Sequence, residues 1–137
     1  VLNTCCLCEE MKELWKEQQM LSEFGKGFRF VHMPNPKDTI PFMLQTTDQS
    51  IPFTAMIGGH STPYFRLEKI DEESCCAQLS MLLPVDLKGQ PAMTDQDLYA
   101  LRKTSHCILV KICGFCSITP LPSELVGRTL PVVESKV

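Results

Sequence analysis

The segment YFRLEKIDEESCCAQLSMLL (Tyr64–Leu83) reads as two short runs of alternating character around a polar turn. Side chains alternate faces along a strand. In the second run Ala77, Leu79, Met81 and Leu83 therefore share a face with Cys75, while Gln78 and Ser80 share the other with Cys76. Asp71–Ser74 supplies the turn. The unit is a pair of half-buried strands, with Cys75 expected toward a core and Cys76 toward solvent.

Similar runs flank this unit. FRFVHM (28–33), IPFMLQT (40–46), IPFTAMI (51–57), SHCILVKIC (105–113) and FCSIT (115–119) mostly recur at intervals of roughly ten residues, the spacing of a sandwich or barrel. NPKD (35–38), TTDQS (46–50), GGHS (58–61) and LKGQ (87–90) separate them as turns, and residues 89–97 read as an exposed loop. The predicted fold is all-β, sandwich or jelly-roll-like, with about 7–8 short antiparallel strands. One helix precedes it, CEEMKELWKEQQMLSEF (8–24), whose Leu7, Met11, Leu14, Trp15 and Leu21 form one apolar stripe. Thr4 is a candidate cap, Glu9 and Glu10 suit the helix dipole, and Gly25 and Gly27 end the element. The expected organisation is a cysteine-rich N-terminal arm and helix over residues 1–27 and a single β domain over 28–137.

Composition excludes several function classes. The 137 residues are 44% hydrophobic and 21% charged with a net charge of −3, which suits a folded domain. No basic block exists to neutralise phosphates, so nucleic-acid binding is not expected. No apolar stretch approaches the roughly 18 residues of a membrane span, so membrane insertion is not expected either. The first residues lack a basic start followed by an apolar run, and no signal peptide is expected.

Cysteine is the anomaly: eight residues in three clusters, Cys5, Cys6 and Cys8, then Cys75 and Cys76, then Cys107, Cys113 and Cys116. Vicinal cysteines rarely bond each other, so each member of Cys5–Cys6 and Cys75–Cys76 needs a partner elsewhere. In SHCILVKIC the residues Ile108, Val110 and Ile112 make one face, which sends Cys107 and Cys113 to the other. Continuing the count turns Cys116 inward, provided that Gly114 introduces no bulge. The C-x-x-C of Cys113 and Cys116 is thereby split between faces. A four-cysteine zinc site usually holds its second pair 15–20 residues after the first, and here the clusters lie nearly a domain apart. His32, His60 and His106 add no ligand spacing and read as surface residues. A redox C-x-x-C needs a helix start within a βαβ unit, which is missing around Cys5 and Cys8. Ser61 lacks a nucleophile-elbow context. The residues point to a non-enzymatic, thiol-rich β domain without cofactor or bound metal, whose exposed cysteines link one copy to the next.

Four stretches carry a family resemblance: NTCCLCEEMKELWKEQQ (3–19), KDTIPFML (37–44), YFRLEKIDEESCCAQLSMLLPVDLKG (64–89) and LRKTSHCILVKICGFCSITPLPSELVGRT (101–129). Together they resemble the spore coat protein Y/Z family of endospore-forming bacteria, which includes exosporium proteins. The resemblance implies a self-assembling structural protein of the outer coat, crust or exosporium, made in the mother-cell cytoplasm and crosslinked by disulfides into an extended homo-oligomeric layer or fibre. Other spore coat proteins are implied as partners. The family's cysteines match Cys5 or Cys6, Cys8, Cys75 or Cys76, Cys107 and Cys116. Relatives commonly have C-x-C where this chain has Gly114-Phe115-Cys116, so Cys113 is displaced, and the crosslinking is expected to be sparser and centred on the arm. Candidates for intermolecular bonds are Cys5, Cys6, Cys8, Cys76, Cys107 and Cys113; Cys75 and Cys116 are candidates for an intrachain bridge or buried thiols. The alternatives are a zinc-binding module built from the arm thiolates and the C-G-F-C pair, and a docking platform for other coat proteins.

Overall fold

The computed structural model describes residues 5–33, 35–46 and 51–131, so Thr4 and residues 47–50 of the TTDQS turn lie outside the described residues. The helix α1 runs Cys6–Gly25. Seven strands follow among the described residues: β1 (Phe42–Gln45), β2 (Ala55–Ile57), β3 (His60–Thr62), β4 (Phe65–Ile70), β5 (Cys76–Val85), β6 (Ala100–Lys111) and β7 (Ser117–Pro120). Every pairing between these strands is antiparallel. Five make one sheet in the order β6-β5-β4-β1-β7, and β2 and β3 form a separate ribbon. The all-β class with an N-terminal helix holds, and the strands divide unevenly, with α1 providing much of the second layer.

The alternation read from Tyr64–Leu83 builds the core directly. Phe65 and Leu67 of β4 and Ala77 and Leu79 of β5 are fully buried, joined by Phe42 and Leu44 of β1. Cys8, Met11 and Leu14 of α1 lie in the same cluster. The segment expected to be an arm is thus packed against the sheet. Phe53 stacks on Phe65 with ring centroids 5.7 Å apart and meets Phe115 at 5.2 Å, extending this face. On the opposite face Tyr64, Leu82, Leu101 and Val126 form a smaller cluster. Adjacent residues, Tyr64 and Phe65 or Met81 and Leu82, enter different clusters because neighbouring side chains on a strand point apart.

Two expectations change. FRFVHM forms no strand: residues 28–33 pair with nothing in the sheets, and Phe28, Phe30 and Val31 are exposed. Alternation alone does not make a strand without a partner edge. GGHS is more than a turn, because Gly58 and Gly59, both at positive φ, turn the chain between β2 and β3, and His60 begins β3. Gly25, as expected, closes the helix; a Cβ there would stand 2.9 Å from the Lys37 carbonyl.

Candidate functional site

The first turn of α1 brings two cysteines to one end of the sheet. Cys5 and Cys8 are one turn apart and so lie on the same helix face. The hairpin Asp71–Cys75 ends beside the short turn Ile112–Gly114, where the Ile112 N–H donates to the Cys75 carbonyl at 3.1 Å. Cys75 adopts φ +57°, a left-handed conformation that closes the hairpin and aims its side chain inward. Cys5 bonds Cys113 and Cys8 bonds Cys75, with Cα separations of 5.8 and 5.9 Å, inside the usual disulfide range. The two bridges span 108 and 67 residues of sequence. Each alone would remove about 4–5 kcal/mol of chain entropy from the unfolded state, and since the shorter loop is nested in the longer, their sum is smaller.

A buried polar contact reinforces the docking. Gln18 is 1% exposed, yet its amide donates to the Leu67 carbonyl at 2.8 Å and accepts from the Ile40 N–H at 3.1 Å. This satisfies a β4 carbonyl beside the register shift at Leu67/Lys69. Nothing in the composition of the helix marks Gln18 among its polar neighbours; its position one turn after Leu14, on the apolar stripe, is the available signal.

The remaining four cysteines, Cys6, Cys76, Cys107 and Cys116, are unpaired and exposed. Cys76 and Cys107 lie where strand parity placed them, on the sheet face opposite the helix. The Cys107 thiol donates to the Ser105 carbonyl at 3.8 Å. Three of the residues proposed for intermolecular bonds, Cys5, Cys8 and Cys113, are instead held within the chain, because the helix folds back onto the sheet end. Cys75, assigned to an intrachain bridge or a buried thiol, is 4% exposed and bridged. Cys116, assigned inward, is exposed. The strand stops at Lys111, and the Ile112–Gly114 turn resets the count, so Phe115 takes the inward place.

The outer face has its own polar ties near Ser80. Ser80 donates to Glu68 at 2.8 Å, and Arg66 donates to Glu68 at 2.6 Å and to Thr39 at 2.8 Å. Lys103 pairs with Asp38. Burial pushes the Asp38 carboxyl up, but hydrogen bonds from Lys103 and Thr39 and the charges of Lys103 and Arg66 outweigh it and hold it below the ordinary value. Among the described residues no cluster of three or more His, Cys, Asp or Glu side chains is placed to hold a metal ion. The five thiols that a zinc reading would draw on, Cys5, Cys6, Cys8, Cys113 and Cys116, are divided between two separate bridges and two exposed positions. Among the same residues no helix is long and apolar enough to cross a membrane.

The profile of the family described as Spore coat protein Z matches residues 3–123. The chain belongs to the spore coat protein Z family. Spore coat protein Z of Bacillus subtilis (strain 168) is 34% identical over 105 residues, covering 67% of this chain and 69% of that protein. No solved structure matches. Membership makes the chain a structural protein of the spore coat, at the spore surface, and the match spans both the helix that carries the bridges and the sheet that carries the free thiols.

Proposed function

We propose that this coat protein is a self-assembling building block, joined copy to copy by disulfides through Cys6, Cys76, Cys107 and Cys116. The observation that carries the reading is the division of its eight cysteines: four close the fold internally, and four stand exposed without an internal partner. Internal bridges fix the building block, and outward thiols connect it to its neighbours. Contacts that do not close into a ring propagate into a layer or fibre. Covalent links then give the assembly kinetic resistance that non-covalent contacts lack. The exposed apolar stretch of Phe24, Phe28, Phe30 and Val31 offers further surface for packing between copies.

Electron microscopy of the purified full chain, oxidised or kept reduced, tests this. Regular arrays that survive denaturant only when oxidised support the reading. Oxidised protein that remains monomeric at high concentration contradicts it, and assembly only on addition of a second coat protein would make it a docking platform.

A further inference from the structure

The uncovered part of the outer sheet face has a definite pattern. On β5 and β6 the register sets three rows: Cys76 opposite Lys111, Gln78 opposite Leu109, and Ser80 opposite Cys107. Beyond Ser80 this face is occupied, since Thr39 is buried against Arg66 and Leu82 packs with Val126. The open patch is therefore a leucine between two thiols. Leu109 is 79% exposed, on a strand that forms the edge of the sheet.

Rise per residue and strand spacing separate Cys76 from Cys107 by about 14 Å. A disulfide needs Cα atoms within about 7 Å, so these two thiols cannot bond to each other inside one chain. Both are nevertheless exposed on the same face, on either side of the Gln78–Leu109 row. That arrangement is self-complementary.

We propose that this patch is a two-fold contact between two copies, closed by two equivalent Cys76–Cys107 disulfides. The proposal rests on the self-assembly reading above and adds to it the face, the pairing and the symmetry. A two-fold axis lying in the contact plane, crossing the Gln78–Leu109 row midway between the thiols, exchanges them. Cys76 of each copy then meets Cys107 of the other, as an isologous interface requires. The same axis lays Leu109 on Leu109 of the second copy, and Gln78 on Gln78, whose amides both donate and accept. A disulfide between facing sheets is geometrically ordinary, as in immunoglobulin domains. Each bond forms by thiol–disulfide exchange with a low-molecular-weight disulfide. Two protein thiols are oxidised to one bond, and the small disulfide takes up the two electrons and two protons and leaves as two thiols. Because a two-fold contact closes on itself, the dimer leaves Cys6 and Cys116 to carry growth beyond it.

The full chain carrying Cys6→Ser and Cys116→Ser, oxidised with glutathione disulfide, tests the pairing. Non-reducing electrophoresis is expected to show covalent species that stop at the dimer. Peptide mapping of mixed ¹⁴N and ¹⁵N protein is expected to find Cys76 joined to Cys107 across isotopes. Adding Cys76→Ser should cut dimer yield about tenfold or more, because the axis holds the two Cys107 residues apart. Leu109→Glu, at an exposed position, should slow dimerisation about tenfold. A monomeric Cys6→Ser/Cys116→Ser chain beside an unsubstituted chain that still assembles overturns this contact and leaves self-assembly standing. A ladder beyond the dimer, or Cys76 joined to Cys76, also overturns it. An unsubstituted chain that stays monomeric when oxidised removes both readings.

Discussion

The helix-covered face of the sheet holds its cysteines in bonded pairs, whereas the opposite face leaves Cys76 and Cys107 single. The contrast is sharpest at one peptide bond: Cys75 is buried and bridged to Cys8, and Cys76 is exposed. Cys75 closes the hairpin in a left-handed conformation that turns its side chain inward, and Cys76 opens β5 facing the other way. One dipeptide thus serves the interior of the building block and, in the proposed function, the contact with its neighbour. The difference between the faces is one of what covers them. The helix shields one pair from solvent, and nothing among the described residues covers Leu109.

That contrast predicts unequal responses to substitution. The largest loss is expected for Cys8→Ala combined with Cys75→Ala, about 3–4 kcal/mol because Cys5–Cys113 still closes the longer loop, read by denaturant unfolding without reductant. An unchanged midpoint would mean that the inner bridge does not constrain the fold. Gln18→Leu should cost about 2 kcal/mol by taking the amide partner from the buried Leu67 carbonyl and the part-buried Ile40 N–H. Acid acts on the outer face more weakly. The Asp38 carboxyl is held below its ordinary value of 3.8, so the stability it supplies is present above that pH and is lost as pH falls through the lowered value. Asp38→Asn should flatten that part of the acid limb of an unfolding curve, and an unaltered limb would count against the Lys103 contact. The smallest effect on monomer stability, within about 0.5 kcal/mol, is expected for Cys76→Ser and Cys107→Ser, whose consequences should appear in assembly alone.

Strand parity was enough to read much of this from sequence. It placed Cys75 inward and Cys76 and Cys107 outward, and the same alternation identified Ala77, Leu79 and Met81 as a core face. It failed at Cys116 because parity survives only while a strand continues, and the Ile112–Gly114 turn interrupts it. Cys5, Cys8 and Cys113 were misplaced for another reason. Docking of α1 depends on contacts made across 67 and 108 residues, which no local pattern encodes. The helix stripe announced that the helix would bury a face, without saying that the partner would be this chain's own sheet. FRFVHM likewise had strand character and no edge to join.

The most direct test is a non-reducing disulfide map of assemblies grown from an equal mixture of ¹⁴N- and ¹⁵N-labelled full chain. Cys5–Cys113 and Cys8–Cys75 are expected in peptides of a single isotope, and links through Cys6, Cys76, Cys107 or Cys116 in peptides of mixed isotope. Mixed-isotope Cys8–Cys75 peptides, or assemblies whose links between copies avoid the four exposed thiols, would contradict the division between inner and outer cysteines.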